Sequence, residues 1–106
     1  MRLLGWRRAV SGSLRGFVGL ALTVENDRPL EIYNCPVHRG TNGHAWVSMP
    51  GSVSFDKATL IVRCDDKTGK PKCQPMAKWG DRETADKFSA AVLKLLLAQH
   101  PDALDP

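Results

Sequence analysis

The chain has 106 residues, 42% of them hydrophobic and 25% charged, which suits one globular domain, leaves no room for two and excludes wholesale disorder. The net charge of +4 is uneven: residues 1–24 carry Arg2, Arg7, Arg8 and Arg15 with no acid, and residues 65–81 carry Lys67, Lys70, Lys72 and Lys78 against Asp65, Asp66 and Asp81. Such a field suits a phosphate backbone, though it also suits a plain solvated surface.

In chain order, "RLLGWRR" (2–8) reads as a short strand ended by "SGS". In "LRGFVGLALT" (14–23), Leu14, Gly16, Val18, Leu20 and Leu22 alternate with Arg15, Phe17, Gly19, Ala21 and Thr23, the period of a strand. "ENDR" (25–28) is a turn, and "LEIYNC" (30–35) alternates again, so 14–35 is expected to be a hairpin. Asn42-Gly43 predicts a type I′ turn into the strand "HAWVSM" (44–49), which Pro50-Gly51 ends. "ATLIVRC" (58–64) reads as a strand, "DDKTGKPK" as a charged turn, and "CQPMAKW" (73–79) as a returning edge strand, because Pro75 does not fit a central one. From Asp81, an expected N-cap with Glu83 in the first turn, the period becomes helical. Ala85, Phe88, Val92, Leu95 and Leu96 form one stripe, and His100-Pro101 ends it. Leu93 and Leu97 lie off that stripe, a surplus of the kind a homodimer contact uses. The expected architecture is α+β: a small antiparallel sheet of hairpins followed by one C-terminal amphipathic helix packed on one face. Residues 1–100 form the single domain and 101–106 a frayed tail.

An odd cysteine count favours reduced thiols and a cytoplasmic location. Arg7-Arg8 before "GFVGLALTV" has the outline of a twin-arginine leader. However, Arg15 precedes a short apolar run and no small-x-small cleavage site follows. No stretch approaches the ~18 apolar residues of a membrane span, so no membrane partner is expected.

Cys35, His38, Cys64 and Cys73 make a formal tetrahedral zinc count. Their spacing argues against it: Cys35-Pro-Val-His38 is C-x2-H, but eight residues separate Cys64 from Cys73. Alternation also sends Cys35 and His38 to opposite faces unless Pro36 breaks the pleat. Cys35 with His38 or His44 is the one thiol–imidazole pair near enough in sequence for cysteine catalysis. No nucleophile elbow, phosphate loop or paired-carboxylate motif surrounds it, so no enzyme, cofactor or metal is expected. Trp6, Phe17, Tyr33, Trp46 and Trp79 are interleaved with Arg and Lys, a pattern in which rings stack on unpaired bases while cations hold phosphates. Phe17 and Tyr33 are expected in the core, and Trp46 beside His44 is the expected exposed ring.

"LRGFVGLAL", "LEIYNCPVHRGTNGHAWVSMP" and "CQPMAKW" leading into "ADKFSAAVLKLL" resemble, in order and pattern, the SpoVG family (stage V sporulation protein G, or septation protein). The likeness covers roughly residues 2–98, with "GTNGHAWVSMP" its most specific piece and Pro75-Met76 in support. It implies a bacterial regulator that dimerises through its sheet and binds DNA and RNA with little site specificity. In that family the bases after Met-Pro contact nucleic acid. Here Met49-Pro50 is followed by Gly51-Ser52-Val53-Ser54, and the bases come from a longer insertion with Lys57, Arg63, Lys67, Lys70 and Lys72.

The expected function is a small, basic, non-enzymatic nucleic-acid-binding regulatory protein acting as a homodimer. Arg7, Arg8, Arg15, Arg39, His44, Trp46, Lys67, Lys70 and Lys72 are its candidate contacts with DNA or RNA. The alternative is a protein-interaction module, such as a mobile-element or phage-type inhibitor docking on a host nucleic-acid-processing protein. A zinc-stabilised version of either is the third reading.

Overall fold

Alternating apolar residues give this chain long strands, and each turn returns the next strand beside the last. In the computed structural model, which describes residues 1–24, 26, 28–53, 67 and 73–106, β1 (Arg2–Ser11) pairs antiparallel with β2 (Leu14–Thr23). The strand expected at 2–8 thus runs on to Ser11, which pairs with Leu14 across the turn. β3 (Pro29–Arg39) returns against β2 as the expected hairpin, and β4 (Ala45–Val47) pairs with β3, completing a four-stranded sheet in the order β1-β2-β3-β4. β5 (Gly51–Val53) and β6 (Cys73–Pro75) form a separate two-stranded ribbon, so the returning strand is three residues long and its partner is β5. "ATLIVRC" lies outside the described residues. The helix α1 (Arg82–Gln99) follows, and the α+β class expected from the sequence is the one found.

α1 starts where expected. The Asp81 carboxylate accepts the Thr84 backbone N–H at 2.7 Å and the Thr84 hydroxyl at 2.9 Å. These bonds hold the Asp81 carboxyl below its ordinary range. At the other end the His100 N–H still reaches Leu96 O at 2.7 Å before Pro101 stops the helix. The buried stripe is Phe88, Val92 and Leu96, packed on Val18, Leu20, Cys35, Val37 and Val47 of the sheet. Each fully buried aliphatic side chain contributes roughly 1.5–3 kcal/mol. Leu93 and Leu97, off the stripe, are half-buried against the same core. Trp6 packs there too. Its ring crosses Gly16, where a Cβ would lie 2.5 Å from the indole and 2.4 Å from Arg7 O, so only glycine fits.

Three sequence expectations change. First, the alternation of β3 is interrupted. Val18 pairs with Cys35 and Leu20 with Ile32, so two steps on β2 match three on β3. The extra residue is taken up at a bulge where Asn34 adopts φ +61°. Ile32, Cys35 and Val37 therefore all turn toward the core, and Asn34, which strict alternation sends inward, is exposed. Second, the turn into β4 is not type I′. Gly43 N–H bonds to Gly40 O, Gly40 N–H to His44 O, and of the turn residues only Gly43 has positive φ, at +83°. This is a three-residue loop, a type I turn followed by a left-handed glycine. Third, residues 101–106 are not frayed. They form two consecutive turns, Ala103 is fully buried in the core and Leu104 packs against it.

β4 is short for a local reason. Pro36 O accepts the Ser48 N–H, so the edge of β3 facing β4 carries a proline with no N–H to donate, and pairing goes no further. The outer side of β4 is met by α1, where the Val47 N–H donates to the Ser89 hydroxyl at 2.8 Å. Among the described residues, no helix is long and apolar enough to cross a membrane.

Candidate nucleic-acid interface

Pairing register assigns each candidate side chain to a face. Val37 lies opposite Val47 inside the core, so His38 and Trp46, the next pair, lie on the far face. Arg7 opposite Phe17, Phe17 opposite Pro36, and Gly5 opposite Gly19 share that far face. α1 covers the core face, with its sheet contacts to β1 and β4.

On the far face the Arg7 guanidinium sits over the Phe17 ring, 5.1 Å from its centroid. Tyr33 is 57% exposed, and its hydroxyl donates to the Glu31 carboxylate, which raises the Tyr33 pKa. Trp46 carries two imidazoles: His38 at 5.2 Å and 10° between planes, and His44 at 5.9 Å and 22°. The Ser13 hydroxyl meets His38 Nδ1 at 2.9 Å, and burial pushes the His38 pKa down, favouring the neutral ring. The expected roles of the rings change in part. Trp46 is half-buried with two partners already stacked on it; Phe17, also half-buried, and the exposed Tyr33, both expected in the core, lie on the same far face. Trp6 and Trp79 pack against the core, Trp79 tilted against Phe88 at 5.2 Å.

Between Phe17 and Tyr33 is a hollow of about 320 Å³. Gly5 and Gly19, paired in register, form its floor. Leu4, Arg7, Phe17 and Tyr33 wall it, and Asn34 stands at the rim. Sequence reading missed these residues as a group. The available signal was two glycines inside strands, positions that mark a bulge, as at Gly5, or leave room for close approach by another group.

The predicted arginines divide. Arg7 belongs to the far face. Arg8, Arg15 and Arg39 converge instead on carbonyls of the 102–106 segment: Arg8 on Asp102, Asp105 and Pro106, Arg15 on Leu104 at 3.3 Å, and Arg39 also on Leu104 at 3.3 Å. Arg15 and Arg39 also line a second hollow of about 550 Å³ beside the Gly40–Gly43 turn. His44 and Trp46 join the far face, Lys67 is exposed, and Lys70 and Lys72 lie outside the described residues.

The zinc set fails on geometry where it can be followed. Cys35 is fully buried under α1 and His38 is on the opposite face, so one ion cannot touch both. Burial also pushes the Cys35 thiol up to about 11, which disfavours the thiolate that a metal or a nucleophilic step needs. Cys64 and the Cys73 side chain lie outside the described residues. No family model matches the chain, and no curated protein or solved structure shows significant similarity to it.

Proposed function

We propose that this protein is a small, non-enzymatic nucleic-acid-binding protein that takes single-stranded DNA or RNA across the far face of its sheet. The observation that carries this reading is the grouping of Phe17, Tyr33 and the His38–Trp46–His44 stack with Arg7 on the face opposite the helix. Rings on a sheet stack on unpaired bases of any sequence, and cations beside them hold the backbone. Of the hairpin's arginines, Arg7 stands among these rings, whereas Arg8 and Arg15 turn to the 102–106 segment. The resemblance to the SpoVG family, which rests on the residues quoted for it, adds a regulatory role and a homodimer. Among the described residues, with β4 met by α1, the outer edge of β1 is the long sheet edge on which a second copy would pair.

The test is a fluorescence-anisotropy titration with single-stranded DNA, duplex DNA and RNA at about 50 and 200 mM salt. Tighter binding to single strands than to duplex, weakening steeply with salt, is the expected result. Absence of binding to every oligomer at the lower salt refutes it.

A second reading, a module that docks on another protein, has its own observation. A groove of about 600 Å³ runs between β4 and α1, with Ala45, Val47, Ala85, Ala90 and Leu93 in its lining. A stable complex with a protein partner, combined with no affinity for any oligomer, favours that reading.

A further inference from the structure

We propose that the hollow over Gly5 and Gly19 is a receptor for one unpaired base, with Phe17 and Tyr33 as its stacking walls and Arg7 as the group nearest the backbone phosphate. This rests on the nucleic-acid reading above and narrows it to one site.

The argument starts from the glycines. Gly16 is required by close packing, and Gly12 and Gly43 by positive φ. Gly5 lies at a β1 bulge, where Leu3–Gly5 matches the single step Leu20–Gly19, but its φ is not positive and a Cβ there meets nothing within 4 Å, so neither strain nor packing excludes a larger residue. Gly19 is close to the same condition, since a Cβ there makes ordinary contact with Tyr33 Cδ1 at 3.4 Å and Leu4 Cβ at 3.6 Å. A glycine inside a strand weakens it, because it has more freedom to lose and no side chain to pack. Two of them face each other in register, and what they create is empty space between two aromatic rings.

Size and chemistry restrict the occupant. At about 320 Å³ the hollow lies at the small end of ligand sites, roughly 300–1,000 Å³, so it accommodates one flat ring system. The Tyr33 hydroxyl donates to the Glu31 carboxylate, and the Arg7 guanidinium lies over the Phe17 ring, so both walls have a polar neighbour on the sheet. Asn34 at the rim offers an amide donor and acceptor to a base edge. Arg7 is the cation in the wall of the hollow and suits the phosphate attached to a base, while the nearby Glu31 carboxylate is engaged by the Tyr33 hydroxyl.

The experiment compares an oligothymidylate of about twelve nucleotides with an abasic oligomer of equal length, titrated at about 50 mM salt. The proteins are the unaltered chain, Gly5→Val and Tyr33→Ala. The unaltered chain is expected to bind the base-bearing oligomer about tenfold more tightly than the abasic one. Gly5→Val fills the hollow and is expected to lose that gap, keep its affinity for the abasic oligomer and melt no lower than the unaltered chain. Tyr33→Ala, at an exposed position, is expected to lose the gap as well. If both variants keep the gap, or the unaltered chain binds both oligomers equally, the base receptor is overturned while backbone binding stands. If the unaltered chain binds neither, both proposals fall.

Discussion

Cys35 lies on the core side of β3 with no exposed surface, and its thiol is pushed from an ordinary value near 9 to about 11. Two consequences follow at this single residue. In the native protein at about pH 8, alkylation of Cys35 is expected only through unfolding, which peptide mapping after iodoacetamide treatment will show. The folded thiol also holds its proton at pH values where the unfolded one has lost it. Its contribution to stability is therefore complete below about pH 9 and is lost as pH rises toward 11. Urea unfolding across that range is expected to show a falling midpoint, with a shallower fall in Cys35→Ala. His38 has the opposite sign: with its pKa lowered by burial, its contribution is present above the ordinary imidazole value and fades as pH drops below it. The opposition of Cys35 and His38 was legible from strand alternation alone. That Cys35 is the inward one was not, because Asn34 resets the count.

At the scale of elements, regular periods were legible and departures from them were not. The alternation of 14–23 and the stripe through Phe88, Val92 and Leu96 are repeated signals, and the Asp81 cap is a local one, so β2 and α1 could be placed from sequence. The bulge in β3 is one residue in a left-handed conformation, and nothing in the period of "LEIYNC" announces it. The Asn42-Gly43 pair announced a turn correctly but not its type, since one left-handed residue was enough. The bulge makes a direct prediction. Asn34→Val forces a β-branched residue into φ +61° and is expected to lower stability by about 1–2 kcal/mol. Asn34→Gly is expected to be neutral or mildly stabilising. Urea midpoints with unchanged slopes will measure both. Loss of structure in Asn34→Gly would mean that the side chain, not the backbone geometry, holds the bulge.

At the scale of the molecule, the largest departure from the sequence reading is the segment 101–106. "PDALDP" is short, polar and proline-flanked, the composition of a loose end. Its burial is specified by Arg8, Arg15 and Arg39, residues 65 to 98 positions away in sequence, and no local pattern contains that information. The same distance explains why the candidate site was only half legible. Residue types on the far face could be named, but the two-glycine floor exists only once β1 and β2 are in register. Removing residues 102–106 takes Ala103 and Leu104 out of the core, strips Arg8 and Arg39 of their carbonyl acceptors and leaves Arg15 with Gly12 O and Leu14 O alone. It is expected to cost about 2–3 kcal/mol, read as a lower urea midpoint. The three arginines come from three different strands, so the segment can dock only after β1, β2 and β3 have found their register, and a slip by one residue would turn the guanidiniums away. The latch is thus expected to form after the transition state for folding. In stopped-flow kinetics its removal should leave the refolding rate nearly unchanged and accelerate unfolding, so the final turn of the chain governs how long the native state lasts rather than how quickly it is reached.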